Sequence, residues 1–494
     1  MANLLSSRTL SDVKAYVKTF NYDIDKLTSG IVHIGIGAFH RAHQAVFTDD
    51  LLALDPSWKI TAVSLRSPDI QRHMQPQNYL YSVVERSNNT DNTRVIGAID
   101  RVIVAPECPQ DVIEALASPD TKVVTITITE KGYCRDFSGQ HLDIKNEGIK
   151  HDLLNPHSPQ TFVGFFIEAF RKRQQLGEKL TVISCDNLPS NGRITRNIVL
   201  EYARLVDSEL AKWIESNINF CSSMVDRIVP ARTQLDIDRS VNVLGVEDRC
   251  IIVTEPFKQW IIEDNFAAEK PAWNLVGALF AKDIEPFEDM KLRLLNGAHS
   301  ALAYVGFLLG YEYIHQAVCD DDCLKLIKLL HKDLLTTLED VPDIDLIEYS
   351  ETIIQRFSNE GVPYKTSQVA SDGSQKLPQR LIKPLSIILS NQGRVSNSIA
   401  FVIASWCQYL KGVKENGEAY TIVDPIAEKL VDRANRKFTN YSEYVTDILS
   451  FSGVCNSELL ARQDFINRVS RYCEMIDKRG IKAELTCLTT GSVN

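Results

Sequence analysis

Ile31-Val-His-Ile-Gly-Ile-Gly-Ala-Phe-His-Arg-Ala-His-Gln-Ala45 decides the fold. Its first four residues are apolar and mostly β-branched around His33, and they read as a buried strand. Gly35 and Gly37 follow at once, and then a stretch without helix breakers. Strand, glycine turn and helix in that order open a dinucleotide fold, where backbone amides at a helix N-terminus hold a pyrophosphate. The third glycine of the usual G-x-G-x-x-G is replaced by His40, and a glycine pair after a strand also serves as a plain turn. The surrounding pattern has to decide.

Working outward, residues 59–65, 94–100, 102–104, 122–129 and 180–184 read as further strands rich in β-branched residues. Residues 162–175 carry apolar side chains at Phe162, Phe165, Phe166, Ala169 and Phe170, a helical spacing. Alternation of this kind predicts an α/β fold with a Rossmann-like, doubly wound parallel sheet. After Pro286 the pattern becomes helical, with helices expected over 290–309, 323–338, 344–357, 380–391, 396–410, 425–436, 441–450 and 464–478. The expected division is therefore a dinucleotide-binding domain over 1–285 and a mainly helical substrate domain over 286–494. Residues 359–373 read as the one long irregular loop of the helical half, and such loops tend to carry function.

A chain of 494 residues exceeds one ordinary core, and its 24% charged and 44% hydrophobic content is globular. The formal charge of −10 argues against a nucleic-acid partner, which demands clustered Lys and Arg. No apolar run is long enough to span a bilayer, and the first thirty residues lack the layout of a signal peptide. The expectation is a cytoplasmic protein, monomeric or a small homo-oligomer, with a small-molecule partner and no membrane. Eleven cysteines form no regular framework. Cys319 and Cys323 flank Asp320-Asp-Asp322 without a second pair, so reduced thiols and no metal site are expected.

The second informative stretch is Lys291-Leu-Arg-Leu-Leu-Asn-Gly-Ala-His299. An ammonium that exchanges a proton, an amide that holds an oxygen and an imidazole that orients a hydroxyl suit metal-free interconversion of a ketone and an alcohol. An amphipathic helix with a solvated Lys291 also accommodates the string. Asn296 and His299, three apart, share a helix face. Lys291 lies eight residues from His299, about 12 Å along a straight helix, so its stem or a bend near Gly297 must close that distance.

Ala38 to Gln44, Thr129-Glu-Lys-Gly-Tyr-Cys134, Ser184-Cys-Asp-Asn-Leu188, Met224 to Pro230, Glu255-Pro-Phe257, Trp260 to Phe266 and the Lys291 string recur in order along the chain. Together they resemble the polyol-specific long-chain dehydrogenases, the mannitol dehydrogenase family. The resemblance implies a zinc-independent oxidoreductase of sugars, polyols or sugar acids, using NAD, with NADP open. Glu130 to Cys134 and Asp372 to Arg380 look most like the branch interconverting fructuronate and mannonate. The mannitol branch is the nearest alternative, followed by related polyol dehydrogenases such as those acting on arabinitol.

By resemblance, Lys291 is the proton shuttle. An unperturbed lysine titrates near about 10.4, so burial or a neighbouring positive charge must lower it. Asn187 and Asn296 look like paired oxyanion donors, whose amide dipoles persist at any working pH. Asn187 also suits a turn after the 180–184 strand. Asp226 matches a position contacting substrate hydroxyls, and an ion pair with Arg227 is its alternative. Glu288 matches a residue governing the lysine's solvent access, though an i,i+3 pair explains it as well. Lys376 and Arg380 are cations suited to a carboxylate. Lys365, in Tyr364-Lys-Thr366, replaces an arginine of the hexuronate branch and lacks its bidentate fork. Cofactor contacts are expected from Ile34, Gly35, Gly37, Ala38, Phe39, His40 and Arg41, the last facing phosphate. Arg66 after the second strand tolerates a 2′-phosphate, whereas Asp69 opposes it.

Overall fold

The computed structural model describes residues 3–88, 90–136 and 139–491. The chain separates into two compact units, Met1–Glu285 and Pro286–Asn494.

The first unit is built on a six-stranded sheet, all parallel, whose strands are labelled in chain order: β1 Ile31–Ile34, β2 Ile60–Ser64, β3 Ile99–Val104, β4 Val123–Ile126, β5 Leu180–Ser184 and β6 Ile218–Cys221. Their spatial order is β3-β2-β1-β4-β5-β6. The sheet winds outward in both directions from β1, so the crevice for a ligand opens where β1 meets β4. Alternate residues feed separate cores on the two faces, as strand geometry requires. Val32, Ile34, Val124, Ile126 and Val182 pack with Phe162, Phe165 and Phe166 of the helix Phe162–Leu176. Ile31, Ile60, Ala62, Val123 and Ile183 pack on the other side with Val46, Phe47 and Trp58. Two three-stranded sheets flank this frame, and one of them holds Ser223–Asp226 antiparallel to Gln259–Glu263. Residues 94–100, read as one strand, divide between two sheets: Arg94 to Ile96 end the strand Asp91–Ile96, antiparallel to Tyr81–Arg86 in the other small sheet, and Ile99 begins β3.

The second unit is helical. Asn397–Tyr409 is buried from Ser398 to Tyr409, as expected of a helix apolar on all sides, and it packs on Gly297–Leu308 and Gln463–Arg479. Asp320 caps the helix Asp321–Leu335 by accepting from the amides of Asp322 and Cys323. The aspartates between Cys319 and Cys323 thus serve a helix start. Residues 359–373 are not one irregular loop. Thr366–Val369 forms a helical turn, because the Thr366 hydroxyl donates to the carbonyl of Tyr311 and Lys365 bridges to Tyr313. A longer non-helical run lies at 410–426. No helix among the described residues is long and apolar enough to cross a membrane.

Candidate active site

The crevice of the first unit is about 830 Å3 in volume and is lined by the ends of four adjacent strands. Gly35 and Gly37 follow β1, Ser64 to Ser67 close β2, Ala105 and Pro106 follow β3, and Thr127 to Thr129 follow β4. Gly35 has φ +99, and a Cβ there falls 1.9 Å from the carbonyl oxygen of Thr127. No side chain fits, so the glycine is a steric requirement of the turn. The Gly35 carbonyl accepts from the Thr127 hydroxyl at 2.8 Å and lies 3.1 Å from Nε2 of His33. Burial pushes the His33 imidazole down to about 3, which keeps it neutral. Gly37 then opens the helix Ala38–Ala42 with no side-chain cap, and a Cβ built on it meets only the Gly35 carbonyl oxygen, at 3.8 Å. A glycine turn of this kind at a strand end is where dinucleotide folds receive a pyrophosphate.

The side chains of the following helix turn elsewhere. His40 is fully buried and stacks on His33 with ring centroids 3.3 Å apart. Arg41 does not face phosphate as expected: it is buried, donates to the carbonyl of Cys250 at 2.8 Å and lies over the Tyr81 ring. Phe39 stacks on His43, Ala38 packs on the core and Ile34 is wholly buried. Of the run 34–41, Gly35, Ile36 and Gly37 line the crevice. Arg66 is exposed on the crevice wall. Asp69 stands outside the wall and begins the helix Asp69–Met74, its carboxylate accepting from the Ser67 hydroxyl at 2.6 Å.

Beyond β4 and β5 two turns interlock. Asp186 accepts from the amides of Ile128 and Thr129 at 2.9 and 3.0 Å and from the Tyr133 hydroxyl at 2.8 Å. Burial pushes its carboxyl up, and these donors oppose the shift. Its main-chain oxygen accepts from the Leu188 amide at 2.8 Å and from Nδ2 of Asn191 at 2.8 Å. Asn187 therefore sits exposed at the centre of a three-residue turn. Asp226 is buried at the end of Ser223–Asp226. Its neighbour Arg227 is committed to Glu85 and to the carbonyls of Ala42 and Glu255.

In the second unit the helix Glu285–Met290 passes into a π-helical segment, Lys291–Asn296, before continuing as Gly297–Leu308. The Gly297 amide reaches the carbonyl of Leu292, the i→i+5 step. In an α-helix residues five apart point about 140° from each other. A π turn stacks them instead. Lys291 and Asn296 are thus brought to one side, and His299 follows Asn296 on it. No bend at Gly297 is needed: its φ of −64 is helical. Lys291 is 8% exposed and Asn296 6%. His299 stacks on Phe357 at 4.3 Å and shares a 2.9 Å hydrogen bond with the Tyr364 hydroxyl. Arg380 lies in a second π-helical segment, Pro378–Ile382, and donates to the Asn296 carbonyl at 3.2 Å and the Ser300 hydroxyl at 3.1 Å. Lys376 donates to the Ser371 hydroxyl at 3.2 Å. Lys365 is exposed and pairs with Glu312 at 2.9 Å, so its charge is engaged on the protein's own carboxylate. Glu288 is half-buried one turn before Lys291. Among the described residues, no three His, Cys, Asp or Glu side chains are arranged to hold a metal ion.

Residues 29–275 match the family model of the mannitol dehydrogenase Rossmann domain, and residues 283–477 that of the mannitol dehydrogenase C-terminal domain. The D-mannonate oxidoreductase of Escherichia coli is 40% identical over 96% of this chain and 98% of its own. This chain belongs to the mannitol dehydrogenase family. A mannitol 2-dehydrogenase of Pyricularia oryzae is 34% identical over 98% of this chain and 99% of its own. The solved mannitol 2-dehydrogenase of Pseudomonas fluorescens, a ternary complex with NAD and D-mannitol, superposes with a TM-score of 0.87 at 36% identity. That match covers 98% of this chain and 99% of the other. The protein is accordingly an oxidoreductase of this family.

Within that family frame, the structure gathers the expected residues into two sets. Gly35, Gly37 and Arg66 share the crevice of the first unit, and Lys291, Asn296, His299 and Arg380 share one helical face region of the second. Three participants were not singled out from sequence. Tyr364 was noted only as a departure from a pattern, yet it holds His299. Asp186 and Thr129 lay inside quoted blocks, but their interaction joins the ends of two strands 57 residues apart in sequence, which periodicity does not reveal.

Proposed function

We propose that this protein interconverts D-fructuronate and D-mannonate with NAD as the hydride carrier. The observation supporting the substrate is the 40% identity, over nearly the full length, with the D-mannonate oxidoreductase of Escherichia coli. The shape of the Gly35–Gly37 turn, and the NAD complex of the Pseudomonas relative, support the cofactor. A bound nicotinamide dinucleotide supplies the hydride chemistry.

The remaining work falls to the protein's side chains. Gly35, Gly37 and the amides that follow hold the pyrophosphate, with Arg66 at the adenosine side. Lys291 gives a proton to the carbonyl oxygen in reduction and takes it back in oxidation. Asn296 donates to that oxygen as negative charge develops on it, at no protonation cost of its own. His299, fixed by Phe357 and Tyr364, orients a substrate hydroxyl. Arg380 and Lys376 supply positive charge for the sugar-acid carboxylate. Glu288 governs the exchange of the Lys291 proton with solvent.

Oxidation of mannitol to fructose is the second reading, favoured by the fold match to the Pseudomonas enzyme and by the loss of an arginine at Lys365. Following the nicotinamide absorbance band with fructuronate, mannonate, mannitol, fructose and arabinitol separates the two. Fructuronate should lead in kcat/KM by about tenfold or more, some 1.4 kcal/mol in transition-state binding. An equal lead for fructose transfers the assignment to the mannitol branch.

A further inference from the structure

Thr129 has φ +66 and ψ 160, a combination that glycine reaches readily and threonine does not. It stands where β4 ends, exposed on the wall of the dinucleotide crevice beside Thr127, Ile128 and Lys131. Backbone strain at a cleft persists only where the surroundings impose it. Here one carboxylate does so. Asp186 takes the Ile128 and Thr129 amides on its two oxygens, and the Tyr133 hydroxyl binds the same group. Tyr133 is itself held by the Ser184 hydroxyl at 2.5 Å, and the Thr129 carbonyl accepts from the Gly132 amide at 3.0 Å. The peptide preceding Thr129 is thereby fixed from the far side, while its residue faces the crevice.

We infer that Asp186 is a positioning residue for the cofactor: it holds Thr129 in a strained conformation that shapes the crevice wall for the dinucleotide. This rests on the reading of the crevice as a nicotinamide-dinucleotide site. A carboxylate that merely satisfied buried amides would stabilise the fold to the same extent whatever residue occupied position 129. A carboxylate that enforces strain matters only while the residue resists.

Four proteins test the difference: the wild type, Asp186→Asn, Thr129→Gly and the double variant, each titrated with NADH by fluorescence and scanned for its thermal midpoint. Asp186→Asn should weaken NADH binding about tenfold or more in the Thr129 background, equivalent to about 1.4 kcal/mol. In the Thr129→Gly background the same change should cost less than about threefold, because glycine keeps φ +66 unaided. An equal loss in both backgrounds, or none in either, overturns the inference. If Asp186→Asn does not fold, Tyr133→Phe removes one donor to the carboxylate and is read in the same two backgrounds. It should show the same non-additivity, and strict additivity overturns the inference. Folded wild-type protein that binds no NADH removes the reading of the crevice and this inference together. Wild-type binding without coupling between positions 186 and 129 removes this inference alone.

Discussion

Substituting Gly35 and Gly37 by alanine separates what the glycine turn does for the fold from what it does for the cofactor. At Gly35 the backbone is left-handed, φ +99, and the new Cβ falls 1.9 Å from the Thr127 carbonyl oxygen and 2.8 Å from its carbon. Alanine at positive φ costs about 1–2 kcal/mol. Forcing apart two main-chain segments adds about 1–3 kcal/mol, as overpacking generally does. The displaced Thr127 also holds the Gly35 carbonyl, so there is no local relief. Gly35→Ala should therefore lose about 2–5 kcal/mol, lower the thermal midpoint by roughly 5–15 °C and weaken NADH binding. Gly37 differs. Its φ is −85 and the nearest atom to a new Cβ is 3.8 Å away. Gly37→Ala should leave stability unchanged or raise it by about 0.4–1 kcal/mol through the unfolded chain, with the midpoint unchanged or higher. It should nonetheless weaken NADH if the pyrophosphate rests on that peptide. Thermal scans and NADH titrations on both variants suffice. A Gly35→Ala protein with a wild-type midpoint would refute the steric argument, and undiminished NADH affinity in Gly37→Ala would remove the phosphate from this turn.

Lys291→Ala should lower kcat about a hundredfold or more, since positioned acid–base groups contribute about 10² to 10⁴. NADH should still bind, and small external amines should restore part of the rate; near-normal turnover at neutral pH would make the lysine a scaffold residue. His33 is neutral in the fold, pushed down to about 3 from an ordinary 6.5 by burial. The unfolded chain therefore takes up a proton below pH 6.5 that the folded chain refuses, and stability falls as pH drops from there toward 3. At pH 5 the loss from His33 alone is about 2 kcal/mol, so denaturation of His33→Gln should show a pH 7 to 5 decline smaller by that amount, and an identical decline would count against a neutral His33. Exhaustive chelation should leave turnover intact, given that no metal-holding cluster exists among the described residues; activity lost on chelation and restored by one specific ion would displace Lys291 as the agent of proton transfer.

Residues 31–37 suggested the Rossmann-like frame, and the alternation of strands and helices around them was needed to predict it. Local propensity and turn sterics act within a handful of residues, so each of those elements was legible by itself. The helices after Pro286 were legible for the same reason, as their apolar spacing is local. Arg41, by contrast, looked like a phosphate ligand because basic residues beside a glycine turn commonly are. Its burial against Tyr81 and Cys250 depends on residues 40 and 209 positions away in the chain. The π winding of 291–296 is equally invisible, since the same six residues read as ordinary helix, and packing of the surrounding helices decides which backbone carbonyl each amide reaches. Lys365 kept its charge in the sequence and found Glu312 in space. Residue type and spacing thus determined the elements and the inventory of reactive groups. Which groups face a ligand and which are consumed by the protein's own polar atoms was decided only in the tertiary structure, because burial and hydrogen-bond partnership are set by residues far apart in the chain.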